Sequence, residues 1–186
     1  MTGSIEKLEK EYGIATKWRA FPLHPDVPEQ EGMSLEDLFR KKGMPVNVDK
    51  AVDQLCATAE QFGLKMGRRT RVYNSRLAQE AGLWAQAKGQ GHAFHMAAFE
   101  AYFVEGQNIA QKSVILKLIE QVSLDPVEGE SVIDSRTYAD AVDADWKLSR
   151  SVGINAVPTF RMGLDTLVGA KPYEILRRMV EKYVRK

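Results

Sequence analysis

The segment Gly153–Phe160 reads GINAVPTF and places a proline where the chain turns apolar and β-branched. Proline has no N–H to give a ladder, so in a strand it belongs at an edge, at the first position or in a special turn. Pro158 therefore marks either an ordinary strand start or a backbone ledge whose neighbouring peptide groups pair with something else. Few other residues offer chemistry. Cys56 is the one cysteine, so no internal disulfide is possible. It follows Val52 by one helical turn beside an apolar stripe, which reads as a buried, inert thiol. His92 and His95 form an H-x-x-H pair on one helix face, a spacing that suits two metal ligands. No third ligand stands at a comparable spacing, so no metal is expected. GQGHAF (Gly89–Phe94) lacks the third glycine of a dinucleotide loop and follows a helix, not a strand.

Those residues sit in a chain of 186 residues that is 44% hydrophobic and 27% charged, with a formal net charge of +1. That is enough for one core, or for one domain carrying a large insertion. No basic excess marks a nucleic-acid partner, and no acidic block marks a disordered tail. The N-terminal MTGSIEKLEKEYG has no apolar h-region, and no apolar run approaches the roughly 20 residues a membrane helix needs. A folded, cytoplasmic protein with no membrane partner is the expectation. The basic C-terminal residues Lys171, Arg177, Arg178, Lys182, Arg185 and Lys186 read as a solvated helix face.

The elements follow from local signals. SIEKLEKEYG reads as a helix ending at Gly13, and Ile14–Phe21 (IATKWRAF) as a strand. PLHPDVPEQEG is a loop, and Ser34 with Asp37 starts a helix that runs through Lys42. From Asn47 to Lys112 the chain reads as almost wholly helical: Val52, Leu55, Ala59 and Phe62 share one face, Leu77, Ala81 and Trp84 another. Asn74 stands as the N-cap of the second of these runs or as a ligand contact. Further helices are predicted over KSVILKLIEQVSL and from Ser135 to Gly153. VPTFRMG and DTLVG form a hairpin around Gly163, and KPYEILRRMVEKYVRK is a closing helix with Pro172 in its first turn.

Three stretches, Trp18–Pro28 (WRAFPLHPDVP), Phe99–Ile109 (FEAYFVEGQNI) and Ser151–Leu176 (SVGINAVPTFRMGLDTLVGAKPYEIL), resemble the DsbA-like thioredoxin-fold proteins. The resemblance is strongest to the branch of FrnE, 2-hydroxychromene-2-carboxylate isomerase and the kappa-class glutathione transferases. It implies an α/β, thioredoxin-like fold with a large all-helical insertion: residues 1–33 and 135–186 in the thioredoxin-like part, 34–134 in the insertion. It also implies a cis bond before Pro158, with the Val157 backbone offered to an extended peptide or a thiol-bearing ligand by strand addition. Ala156, Val157 and Pro158 are then the substrate ledge, Phe21 a wall, and His24 and Asn74 further candidate contacts. Glutathione is the one small thiol the branch suggests, and no other cofactor is expected.

The family pattern begins with a strand and a C-P-x-C motif, or a serine in its place, at a helix N-terminus that lowers a thiol pKa. By that resemblance IEKLEKEYG matches the later turns of the same helix, so the first strand and the reactive motif are missing before Met1. A start codon assigned too late is the expectation, with a selenocysteine codon read as a stop as one cause; a natural, non-catalytic truncation is the alternative. The missing strand would separate Ile14–Phe21 from Val157–Met162. Those edges would then close on each other in antiparallel fashion or be filled by a second chain, and a homodimer is expected. Three functions remain open. One is disulfide oxidoreductase by family, inactive in this chain for want of a nucleophile and so with no catalytic residue. The others are a glutathione-dependent isomerase or transferase and a peptide-binding module.

Overall fold

The computed structural model describes residues 2–44, 47–61 and 63–184. It divides into two compact units, Met1–Leu23 with Asp145–Lys186, and His24–Ala144. The fold is α/β and thioredoxin-like, with the helical part inserted in the chain between two segments of the first unit.

In the first unit α1 (Thr2–Tyr12) ends where Gly13 takes φ +64°, the left-handed conformation that glycine adopts at no steric cost. The C-terminal hairpin consists of β3 (Thr159–Met162) and β4 (Asp165–Val168), antiparallel, with Thr159 opposite Val168 and Met162 opposite Asp165. Its two-residue turn has Gly163 at φ +55° in the first central position. Helix α9 (Tyr173–Val184) closes the unit, its first turn built on the Pro172 carbonyl, which accepts from the Ile175 and Leu176 N–H groups. Leu8, Leu176 and Val180 form the buried centre, flanked by Tyr12, Ile14, Phe160, Met162, Leu167 and Tyr173. Alternation explains the hairpin's share: Phe160 and Met162 lie on one face of β3 and reach this cluster, whereas Arg161 points the other way and is exposed.

Ile14–Phe21 corrects the sequence expectation. It forms no strand; among the described residues neither it nor β3 pairs with the other, so of the two repairs considered the antiparallel closure does not occur. β-Branched and aromatic residues favour an extended backbone, but a strand also needs a partner ladder. Here side-chain carboxylates take two of the donors instead. Glu9 accepts from Thr16 N–H at 2.8 Å, and Asp145 accepts from Ala20 N–H at 2.9 Å.

In the helical unit α2 (Leu35–Lys41) starts at Ser34, whose hydroxyl accepts from Asp37 N–H at 3.0 Å, as the capping pattern predicts. The expected continuous helical block is interrupted. After α3 (Val48–Gln61) the chain leaves the helix, and Arg71–Val72 (β2) pairs antiparallel with Met33–Ser34 (β1) before α4 (Arg76–Ala87) and α5 (Gly91–Phe99). A π-helical turn, Glu100–Val104, extends α5. Two more helices, α6 (Lys112–Gln121) and α7 (Pro126–Asp134), pack Ile115, Leu118, Ile119 and Ile133 against Trp84 and Phe94. Each fully buried side chain of this size contributes roughly 1.5–3 kcal/mol.

The predicted helix from Ser135 starts late: α8 is Ala139–Ser151, and the turn before it holds Arg136 at φ +52°. Arg136 closes α7 in a Schellman turn, its N–H donating to the Ile133 carbonyl and the Thr137 N–H to the Val132 carbonyl, and a buried acid holds its side chain. Glu80, only 2% exposed, accepts from Arg136 Nε at 2.8 Å and Nη2 at 2.7 Å, and from Arg76 Nε at 2.6 Å. Arg76 in turn reaches Asp143 at 2.6 Å and donates to the Ala139 carbonyl at 2.8 Å. These contacts join α4 to the turn between α7 and α8.

Candidate functional site

The hairpin register determines which peptide groups of β3 are spent. Gly169 N–H donates to the Pro158 carbonyl at 2.8 Å, which makes 158 and 169 a hydrogen-bonded pair. Pairs alternate along an antiparallel ladder, so Phe160 with Leu167 and Met162 with Asp165 exchange the next bonds. The N–H and C=O groups of Thr159 and Arg161 then point to the opposite, open edge. Among the described residues that edge has no neighbouring strand. Just before it, the Val157–Pro158 bond is cis, the Val157 side chain is 44% exposed, and no described group bonds to the Val157 N–H or C=O. Thr159 Oγ1 donates to the Ala156 carbonyl at 2.7 Å and so ties the loop to the start of the strand. The result is a short, rigidly backed row of unpaired donors and acceptors at two-residue spacing, the geometry an extended chain can pair with.

Phe21 is half-buried at the end of the extended segment, and its carbonyl accepts from Leu23 N–H at 3.0 Å. One turn of α8 holds that segment: Asp145, 4% exposed, binds Arg19 Nη1 at 2.8 Å as well as Ala20 N–H. Sequence reading missed Asp145, although its helical spacing from Val142 and Tyr138 puts it on the buried stripe of α8 and separates it from the exposed acids Asp140 and Asp143.

Asn74 and His24 belong to the helical unit, where they meet through one loop. Asn74 is 6% exposed; its Nδ2 donates to the carbonyls of Val27 at 2.9 Å and Pro25 at 3.3 Å, while its Oδ1 accepts from Arg76 N–H at 2.9 Å. It is therefore a clamp on the loop after His24, set just ahead of the N-cap position that Ser75 occupies. His24 is half-buried. Burial pushes its imidazole below the usual histidine value, and the positive charges of Lys42 and Arg69 push it further down.

The remaining chemical candidates are engaged locally. Cys56 is half-buried, with Sγ 3.9 Å from the Met66 carbonyl and 4.0 Å from that of Gly67. His95 Nδ1 lies 2.7 Å from the Gly91 carbonyl, and burial lowers its pKa. Among the described residues no three histidine, cysteine or acidic side chains gather as a metal would need. Among them also, no helix is long and apolar enough to cross a membrane.

Comparison with known proteins agrees with this fold. The chain is 32% identical over 191 residues to the uncharacterized protein YwbO of Bacillus subtilis, covering 98% of this chain and 89% of that protein. A probable DsbA oxidoreductase of Streptomyces coelicolor superposes with a TM-score of 0.85 at 23% identity, over 97% of this chain and 82% of the other. A 2-hydroxychromene-2-carboxylate isomerase superposes at 0.68 with 18% identity, over 97% and 85% of the two chains. The cytosolic disulfide reductase DsbM of Pseudomonas aeruginosa, solved with glutathione, superposes at 0.55 with 23% identity, over 69% and 72%. The model of the DSBA-like thioredoxin domain matches residues 1–181, and the chain belongs to that family of thioredoxin-fold oxidoreductases.

Proposed function

We propose that the Val157 ledge and the open edge of β3 dock an extended peptide or a small thiol or disulfide ligand, the substrate-holding half of DsbA-like exchange chemistry. The observation that carries this reading is the run of unpaired peptide groups at Val157, Thr159 and Arg161, beside a loop anchored by Thr159 and Pro158. Ala156 and Val157 supply the loop backbone, Thr159 and Arg161 the strand edge. The exchange step itself needs a thiolate that attacks a disulfide sulfur and a second thiol that resolves the mixed disulfide. Cys56, the one cysteine of the 186 residues, lies on α3 of the helical unit, so this chain supplies no such dithiol. It therefore binds but does not turn over. An insulin-reduction assay with dithiothreitol tests the point: the chain gives the uncatalysed rate, and turnover like that of a C-x-x-C enzyme would refute it.

A second reading is favoured by the DsbM structure with glutathione and by the isomerase neighbour. Here the ligand at the same edge is glutathione, whose cysteinyl peptide groups pair with Val157. Titration with glutathione and with an unrelated extended peptide separates the ligands: binding of glutathione but not of the peptide makes glutathione the ligand of this edge.

A further inference from the structure

Two arginines stand side by side at the end of the irregular stretch before β2, and they have opposite surroundings. Arg68 is exposed and reaches two acids of α3, with Nη2 3.0 Å from Asp49 Oδ1 and Nη1 against Asp53. Arg69 is half-buried, and among the described residues no acid pairs with it. Its guanidinium carbon lies 4.4 Å from the centre of the Tyr102 ring and 4.7 Å from that of Phe103, and its Nη1 is buried without a hydrogen-bond partner. The rings are fixed in turn. Tyr102 and Phe103 meet edge to face with centroids 4.8 Å apart, Tyr73 meets Tyr102 at 6.4 Å, and the Phe103 carbonyl accepts from Gly67 N–H at 2.8 Å. Aromatic faces attract a cation, but they do not neutralise it.

His24 feels this uncompensated charge, and feels that of Lys42 as well. It lies on the loop that Asn74 clamps next to Tyr73. Lys42 caps α2, and its side chain is exposed. Among the described residues no carboxylate pairs with Arg69, Lys42 or the His24 ring. Like charges so placed repel unless an anion joins them, and a buried polar atom left unpaired is costly.

We propose that Arg69, walled by Tyr102 and Phe103, binds the oxyanion of a small organic ligand, a carboxylate or a phosphate, in the positive field it shares with His24 and Lys42. The planar guanidinium takes the oxyanion in a fixed plane, Lys42 adds positive charge from a distance, and the rings pack against the ligand's apolar body. The site lies wholly in His24–Ala144 and does not depend on the β3 ledge.

The test titrates the full chain at low ionic strength with benzoate and, separately, with inorganic phosphate, following the amide resonances of Arg69, Tyr102 and Phe103. Saturable shifts are expected with one probe or both, and the stronger probe identifies a carboxylate or a phosphate ligand. Lys42→Met weakens binding about two- to fivefold, the effect of one exposed charge. Arg69→Gln weakens it about tenfold or more, the effect of a lost charge-assisted bond. Circular dichroism checks that Arg69→Gln folds; if it does not, the surface variant Lys42→Met decides alone. No saturable shift with either probe, or undiminished affinity in the folded variants, overturns the proposal.

Discussion

Asp145 holds the backbone of Ala20 and the side chain of Arg19 with its two carboxylate oxygens, at 2.9 Å and 2.8 Å. Residues 14–21 thus have an acid from α8 where a strand would have a neighbour. Asp145 is nearly sealed from solvent while Arg19 is about half exposed, so the carboxylate, not the arginine, bears the desolvation. Asp145→Ala leaves the Ala20 N–H unpaired and is expected to cost about 2–3 kcal/mol in urea unfolding. Asp145→Asn keeps one acceptor and should cost about half of that. A loss below the error of the fit in both variants would show that the segment is held elsewhere.

Glu80 should be the most sensitive polar position of the helical unit. Removing it in Glu80→Ala leaves Arg76, 13% exposed, with a buried charge only partly met by Asp143, and lets the Arg136 turn relax. Breaking such a buried pair costs about 3–5 kcal/mol. The remaining bonds from Arg76 to Asp143 and Ala139 place this case at the lower end. Thermal unfolding monitored by the fluorescence of Trp84, in the same core, reads the effect directly.

Asp165 and Lys182 predict a pH dependence in the first unit. Lys182 Nζ lies 2.6 Å and 2.9 Å from the two Asp165 oxygens, and this hydrogen bond holds the carboxyl below its ordinary value of 3.8 against a smaller opposing effect of burial. A depressed carboxyl stabilises the fold above its unfolded-state value and loses that contribution as pH falls through the folded value. The stability gap between the native chain and Lys182→Met is therefore expected at neutral pH and should close in acid below about pH 4. A carboxyl resonance of Asp165 that titrates at 3.8 or above would contradict this assignment.

Arg161 offers a way to block the edge without breaking the hairpin. Its N–H faces away from β4, so Arg161→Pro removes an open-edge donor while the Phe160–Leu167 and Met162–Asp165 bonds remain. Peptide affinity should fall about tenfold, as for loss of one well-placed bond and its neighbour. Phe160→Pro, one residue away, instead removes a ladder bond and is expected to melt the hairpin. Equal peptide affinity in the native chain and Arg161→Pro would place the ligand elsewhere.

Much of this architecture was legible because its causes are local. Gly13 stops α1, Ser34 caps α2, and Gly163 turns the hairpin where the sequence places them. What escaped depends on partners far along the chain. The composition of residues 14–21 favours extension, yet no ladder forms, and Asp145, which binds Ala20, comes from 125 residues away. The break before Ala139 puts a non-glycine residue in the left-handed region, and the ion pair that accompanies it joins Arg136 to Glu80, 56 residues away. The pairing of Met33–Ser34 with Arg71–Val72 has no periodicity to announce it, being two residues long on each side. Of the proposed site residues, Pro158 stands out as a proline in an apolar run, and Val157 enters only with the family resemblance. Thr159 and Arg161 follow only once the register shows which edge of β3 is spent.

The most direct test of the ledge is a backbone-amide titration of the 15N-labelled chain with a short, extended, cysteine-containing peptide, repeated with oxidised glutathione. The account predicts a period of two: Val157, Thr159 and Arg161 amides shift with ligand, while Phe160 and Met162, bonded to β4, move little. Shifts confined to other regions, or equal shifts along the whole of β3, would contradict it.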